Sequence, residues 1–201
     1  PYTTLFRSCF ARFRSWLSIV ASGFEARVIP AEYTRFPIVG NMLNVSIIIP
    51  AWNESERILD CLLNATRQTV MPYEVLVVDN RSTDDTCAIV ERFIAEHPEA
   101  PVKLLHQNDE QGLIPTRNFG LNAATGDVLG RFDADCMIRP DWVEVVSGIF
   151  TEDPGAMGAT GPVMYYDMPS RHFGLRSDNS LRKRMYKADG GQPLLFGSNM
   201  A

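Results

Sequence analysis

Two aspartates, Asp133 and Asp135, directly follow a short apolar run that ends at Phe132. Carboxylates two residues apart at the end of a strand can converge on one hard cation. Mg²⁺ and Mn²⁺ bind in this way, with water and substrate phosphates completing their coordination. An Asp-x-Asp triplet also occurs by chance in a chain of this size. The pair therefore indicates a divalent-metal site only together with the polar residues that follow the other strands.

Polar residues also follow two earlier apolar runs. Asp79 and Asn80 come after the second run, where a carboxylate can accept hydrogen bonds from a nucleobase or a ribose hydroxyl. The alternative is that Asp79 is an ordinary turn residue before a helix. Asn53 and Glu54 follow the first run and could equally begin a helix. Arg117 lies near a predicted helix start and is either a surface arginine or a ligand for a diphosphate.

The elements that carry these residues alternate between strands and helices. The β-branched run Val45–Ile49 lacks polar alternation, which predicts a strand buried on both faces and ended by Pro50. Further strands are predicted at Tyr73–Val78, Val102–His106 and Val128–Phe132. Helices are predicted from about Ser55, from a cap at Ser82 or Thr83 with Asp84 in the first turn, over Thr116–Ala124, and from Pro140 through Phe150.

This alternation predicts an α/β fold with a mainly parallel central sheet and helices on both faces, joined by right-handed crossovers. Ligands of such Rossmann-like sheets bind beyond the carboxyl ends of the strands. We therefore expect the polar clusters after the first, second and fourth predicted strands to meet at one edge of the sheet.

Four segments in this order resemble the family 2 glycosyltransferases of the GT-A fold, whose metal-binding triplet is called the DXD motif. They are Ser46–Glu54, Val77–Thr86, Arg117–Gly120 and Phe132–Asp135. The resemblance runs from about Val45 to the C-terminus. It includes Gly197–Ala201, which is similar to the family's small-residue loop before the acceptor helix.

The resemblance implies a role for each of seven residues. The nucleotide pocket would be lined by Pro50, Ala51 and Glu54, with Asp79 binding the base and Arg117 holding the nucleotide. Asp133 would contact the ribose or the water shell of the metal. Asp135 would ligate Mn²⁺ or Mg²⁺. The implied reaction is hexosyltransferase-type transfer, with inversion, from a UDP- or GDP-type nucleotide-sugar to an acceptor hydroxyl. Cell-envelope polysaccharide, lipid-linked and small-metabolite acceptors all fit.

The general base of the family is an acidic residue just beyond the small-residue loop, where this sequence ends. Asp141 and Asp189 are substitutes to which we assign no role. A C-terminally truncated fragment of this kind would bind its donor and transfer little sugar. A non-catalytic nucleotide-sugar binding domain is one alternative function. A sugar nucleotidyltransferase is another, but Pro50–Glu54 lacks the glycine and lysine of its phosphate loop.

The composition of the chain argues against several classes of function. The net charge of -5 argues against nucleic-acid binding, and no apolar stretch is long enough to span a membrane. The four cysteines and three histidines are scattered, which disfavours a zinc site or a disulfide framework and suits the cytoplasm. Residues 171–187 are strongly basic. This segment is either a solvated amphipathic helix or a contact with anionic lipid at the inner face of the membrane.

The N-terminal region is predicted to lie outside the domain. Residues 1–8 match the translation of a sequencing adapter, and residues 9–41 are hard to place and are expected to be partly or wholly non-native. Within them, Trp16–Val20 suits a signal peptide or an amphipathic surface helix. The glycosyltransferase-like domain is therefore expected over residues 42–201, incomplete at its C-terminus.

Overall fold

The computed structural model describes residues 17–21, 26–29 and 42–160, and the structural statements below concern these residues. The strands are β1 (Leu17–Ala21), β2 (Ala26–Ile29), β3 (Val45–Ala51), β4 (Glu74–Asp79), β5 (Val102–His106), β6 (Val128–Arg131) and β7 (Ala156–Thr160). The helices are α1 (Ile58–Thr66), α2 (Thr86–Glu96), α3 (Leu113–Ala123) and α4 (Trp142–Glu152). None of the helices in these ranges is long and apolar enough to cross a bilayer.

The central sheet has the strand order β5-β4-β3-β6, and every pairing in it is parallel. All residues of β3 and β4 are buried. Strands that are covered on both faces need continuous apolar runs, and the sequences of these two strands largely meet that need. This confirms the predicted mainly parallel sheet, and β5 has the predicted bounds.

A second, antiparallel sheet has the order β2-β1-β7 and was not predicted. The surface-helix alternative for Trp16–Val20 is wrong for Leu17–Ala21, which is a strand. The β-branched pair Ile19 and Val20 favours that outcome.

Helices cover both faces of the central sheet, as predicted. Helix α3 lies so close to one face that a Cβ on Gly120 would stand 2.5 Å from Ile48 Cγ2 and 2.9 Å from Val78 Cγ2. The opposite face contributes Ile47 and Val77 to a core that also contains buried side chains of α1, α2 and α4. The close approach of α3 brings its polar residues to the edge of the sheet.

Strand β3 does not end at Pro50 as predicted but continues to Ala51. The backbone of Ala51 faces β4, since its carbonyl accepts a hydrogen bond from Asn80, whereas that of Ile48 faces β6 and accepts from Phe132. By alternation Pro50 also faces the β6 side, beyond the last paired position, Ile48 with Arg131. Its missing N–H therefore costs no ladder hydrogen bond, and proline is tolerated there.

The predicted cap of α2 is also wrong, because Ser82 and Thr83 bind the loop after β3 instead of the helix. The Ser82 hydroxyl accepts from the Asn53 N–H at 2.9 Å, and the Thr83 N–H donates to Asn53 Oδ1 at 2.8 Å. Helix α2 begins at Thr86, whose N–H donates to Asp84 Oδ1 at 3.0 Å. Asp84 therefore precedes the helix and does not belong to its first turn.

The other helix starts differ from the prediction by a few residues. Helix α1 begins at Ile58 and not near Ser55, because the preceding residues form a tight turn closed by the Arg57 N–H on the Glu54 carbonyl. Helix α3 begins earlier than Thr116, and α4 begins two residues after Pro140.

Candidate functional site

The loops after β3 and β4 form one unit at the carboxyl edge of the sheet. Besides the two hydrogen bonds of Asn53, the Glu54 N–H donates to Thr86 Oγ1 at 2.8 Å and the Ser55 N–H donates to Asp84 Oδ2 at 3.0 Å. Asn53 and Arg81 have φ angles of 55° and 63°, a left-handed conformation that asparagine tolerates better than most residues. The sharp turns that result hold the two loops against each other.

Carboxylates from two other loops lie within electrostatic range of Glu54 at this edge. The pKa of Glu54 is raised, first by its burial and then by the negative charges of Asp135, Asp84 and Asp133, while Arg57 acts in the opposite direction. Grouping like charges in this way is costly unless a cation compensates for them. Carboxylate oxygens are the donors that Mg²⁺ and Mn²⁺ prefer, so Asp133 and Asp135 have the donor chemistry for such an ion.

Arg117 reaches this cluster from α3. Its Nη2 lies 3.1 Å from Asp133 Oδ1, and the two side chains are 24% and 36% exposed. The pair brings a guanidinium next to the Asp-x-Asp segment, where it can neutralise an anionic ligand.

Asp79, at the end of β4, is only 3% exposed. Its two carboxylate oxygens accept long hydrogen bonds from the Ser82 N–H, at 3.3 and 3.4 Å, and His106 Nδ1 lies 3.7 Å from Oδ2. The ligand atoms of Asp79, Cys87 and His106 all lie within 4.8 Å of one another. The structure therefore brings together a mixed donor set that suits zinc better than Mg²⁺, although the scattered spacing of these residues disfavoured a zinc site.

The described cysteines, Cys61, Cys87 and Cys136, are free thiols. Burial is the main cause that raises the pKa of each, to about 11 for Cys87 and Cys136. They are therefore protonated at neutral pH as free thiols, and Cys87 would become a thiolate only on binding a metal ion.

Asn80 organises the far side of the site, a role that the sequence did not reveal. Its buried amide donates to the Gln107 carbonyl at 2.8 Å and the Glu110 carbonyl at 3.0 Å, and its Oδ1 accepts from the Gly112 N–H at 2.7 Å. Gly112 directly precedes α3, so Asn80 fixes the start of the helix that carries Arg117. A polar residue after a buried strand was the available signal.

Arg131 is a second residue that sequence reasoning missed. It ends β6 and is only 6% exposed, and burial, followed by repulsion from Arg117, lowers its pKa. The signal was present in the sequence, since an arginine interrupts the apolar run just before Asp133.

The remaining predicted positions divide into three groups. Pro50 and Ala51 are buried at the end of β3, beside the loop that carries Glu54. Asp141 is paired with Arg139, whose Nε lies 2.9 Å from its Oδ1. Asp189, the basic residues 171–187 and the loop Gly197–Ala201 lie outside the described residues.

The fold and the edge cluster define an α/β domain of the GT-A type. The chain is similar over its whole length to the mannosyltransferase PcManGT from Pyrobaculum calidifontis, solved with GDP-Man and Mn²⁺, with a TM-score of 0.59, 24% identity and 51% of that protein covered. The family model of glycosyl transferase family 2 matches residues 46–199. The chain belongs to this family.

Two further similarities cover parts of longer proteins. The glycosyltransferase AglE of Haloferax volcanii is 39% identical over 102 residues, which are 50% of this chain and 33% of AglE. The structure of S. aureus TarS 1-349 in complex with UDP is 26% identical with a TM-score of 0.50, over 55% of this chain and 32% of that one. The chain thus spans about a third of AglE and about half of PcManGT.

Proposed function

We propose that this chain is the donor-binding part of an inverting, metal-dependent glycosyltransferase that transfers a sugar from a UDP- or GDP-type donor to an acceptor hydroxyl. The observation that carries the proposal is that Asp133 and Asp135 lie within electrostatic range of Glu54 beyond the parallel strands, with Arg117 bound to Asp133. Family membership and the UDP bound to the related TarS structure support a nucleoside diphosphate as the ligand.

Asp79 is the residue that we expect to bind the nucleobase of the donor. Its hydrogen bonds from Ser82 are long, at 3.3 and 3.4 Å, and the Cys87 thiol also donates to it, so its oxygens can still accept a stronger bond from a base N–H. Pro50, Ala51 and Glu54 would form the wall of the pocket between Asp79 and the carboxylate cluster. Because Asp79 ends β4 and the loop that follows it is hydrogen-bonded to the loop of Glu54, base and phosphates would be held in one fixed relation.

The residues that would hold Mn²⁺ or Mg²⁺ are Asp135 and Asp133. Such an ion supplies Lewis-acid stabilisation of the charge that develops on the leaving diphosphate. Arg117 keeps Asp133 oriented through the ion pair and adds a positive charge for the diphosphate.

Transfer with inversion is a direct displacement at the anomeric carbon. The bond from the acceptor oxygen forms as the bond to the diphosphate oxygen breaks, and the acceptor proton passes to a general base. Asp141 is a poor choice for that base, because Arg139 already binds its carboxylate. We assign the base to none of the described residues.

Calorimetry of UDP and GDP binding, with Mn²⁺ and with EDTA, tests the donor site. We expect EDTA or the isosteric Asp135→Asn substitution to weaken binding by about tenfold or more, since a charge-assisted contact is worth about 1.5–3 kcal/mol. Asp60→Asn, at an exposed position of α1, is the matched control and should bind as the unmodified chain does. Equal affinity in Mn²⁺ and in EDTA would rule out the metal site.

Sugar transfer by the longer protein tests the catalytic half of the proposal. Asp135→Ala should abolish turnover, and retained turnover would remove Asp135 from the mechanism. Donor binding without any transfer to polysaccharide, lipid-linked or small-metabolite acceptors would favour a non-catalytic nucleotide-sugar binding domain.

We also propose that the basic residues 171–187 contact anionic lipid, which would suit a lipid-linked or envelope acceptor. The support is the excess of lysine and arginine in this segment. Flotation with vesicles that contain anionic lipid should recover the chain, and flotation with neutral vesicles should not. Equal recovery with both would contradict the contact.

A further inference from the structure

Arg131 lies on the same face of the central sheet as α3. Its Cα pairs with that of Ile48 in the parallel register of β6 and β3, so the two side chains share a face of the sheet. That is the face on which α3 packs, because Ile48 lies against Gly120. On the opposite face, a Cβ on Gly130 would meet Trp142, as alternation along the strand requires.

The charges around Arg131 do not balance. The side chain lies within electrostatic range of Arg117, which repels it, and of Asp133, which attracts it. Asp133 is already engaged with Arg117 at 3.1 Å. In the described ranges, Nε and Nη2 of Arg131 and Nε of Arg117 are buried without a hydrogen-bond partner. Arg131 thus lies near the partly exposed Arg117–Asp133 pair with two of its own nitrogens unsatisfied.

Such an arrangement is costly for a protein without a ligand. Buried N–H groups of a guanidinium that lack partners lose their hydration without a compensating hydrogen bond, which is costly. An aliphatic side chain would fill the same space at the end of β6 without that cost. The planar fork of arginine does, however, match the paired oxygens of a phosphate or a carboxylate.

We propose that Arg131 and Arg117 form an anion-binding pair that takes a phosphate or carboxylate group of a ligand at this edge of the sheet. The source of the anion is either the donor diphosphate or an acidic group on the acceptor, and this choice rests on the proposed function. The unpartnered N–H groups of both arginines would bind its oxygens.

Thermal unfolding of the 201-residue chain with inorganic pyrophosphate, in EDTA, tests the pair apart from any metal site. Pyrophosphate should raise the Tm of the unmodified chain. Arg131→Met should unfold without pyrophosphate at the same or a higher temperature, because it removes an unpaired buried charge, and it should lose the response. Arg92→Met, at an exposed position of α2, is the control and should respond normally.

Two results would overturn the pair. One is an Arg131→Met chain that unfolds several degrees lower in buffer and still responds to pyrophosphate, since Arg131 would then have its partner within the chain. The other comes from Arg131→Lys, which keeps the charge and also serves if the methionine variant does not fold. It should bind pyrophosphate about tenfold more weakly, because the fork is lost, and an unchanged affinity would contradict the proposal.

The ligand series separates the two sources of the anion. Stabilisation by UDP but not by uridine identifies the donor diphosphate, whereas stabilisation by glucuronate identifies an acidic acceptor. If pyrophosphate binds through Arg131 but the longer protein transfers no sugar, the proposed function fails and the anion site stands. If transfer occurs and Arg131→Met leaves both the pyrophosphate response and UDP affinity unchanged, only the anion site fails.

Discussion

The guanidinium of Arg117 lies 3.1 Å from the Asp133 carboxylate and thereby joins α3 to the loop after β6. Both side chains are partly exposed, and exposed ion pairs add little to stability, about 0–1 kcal/mol. The pair therefore acts mainly on the site, where it orients Asp133 and places a positive charge next to the carboxylates.

Replacing Arg117 by methionine should affect binding much more than stability. The free energy of unfolding should change by less than about 1 kcal/mol, while UDP affinity should fall by about tenfold or more. Calorimetry and urea unfolding measure the two quantities, with Arg92→Met as the exposed control. An unchanged UDP affinity would show that Arg117 does not contact the nucleotide.

Two substitutions of Asn53 separate its backbone from its side chain. Asn53→Gly keeps the positive φ of 55° but leaves the Thr83 N–H without its acceptor, which should cost about 1 kcal/mol. Asn53→Ala loses the same acceptor and must also adopt the left-handed conformation, for about 1 kcal/mol more. Urea unfolding measures both, and equal stability of the two variants would contradict a strained backbone at this position.

Glu74 stabilises the opposite edge of the sheet. Burial alone would raise the pKa of Glu74, but hydrogen bonds from the Thr125 backbone, Lys103 and Ser46 lower it to about 2. A carboxylate with a depressed pKa stabilises the fold above the unfolded value of 4.5, and this contribution is lost as the pH falls from there toward 2. The lowering of the pKa corresponds to roughly 3 kcal/mol.

Glu74→Gln should therefore lower the free energy of unfolding at pH 7 by about 2 kcal/mol and leave UDP affinity unchanged. The difference in the free energy of unfolding from the unmodified chain should shrink as the pH falls below 4.5, since protonation of Glu74 then removes the stabilisation by its ionised carboxylate. Urea unfolding across this pH range measures it, with the exposed Glu91→Gln as control. A difference that does not depend on pH would show that the charge of Glu74 is unimportant.

Gly120→Ala should loosen α3. The added Cβ would stand 2.5 Å from Ile48 Cγ2, and relieving this clash should cost about 1–3 kcal/mol. Because the same helix carries Arg117, UDP affinity should fall as well. Asn122→Ala, exposed on this helix, should change stability by less than about 0.5 kcal/mol. A Gly120→Ala chain as stable as the control would mean that α3 can shift freely on the sheet.

The strands of the central sheet could be predicted because their signal is local. Val45–Ile49 and the run that ends at Val78 are apolar without alternation, which only a strand buried on both faces requires. Once the sheet is parallel, the residues after its strands share one edge. The placement of Asn53, Asp79 and Asp133 at that edge thus followed from the sequence alone.

The tertiary structure decided what each polar residue binds. The local sequence predicts Ser82 as a helix cap. Its hydroxyl instead accepts a hydrogen bond from the Asn53 N–H, which is far away in the sequence. The local sequence predicts that the strand ends at Pro50. Proline is tolerated inside β3 because the pairing with β6 ends before this position. Arg131 is an arginine in a strand, yet it is buried on the face of the sheet on which α3 packs through Gly120. These outcomes depend on contacts between distant segments, whereas periodicity and turn propensity report only on neighbours along the chain.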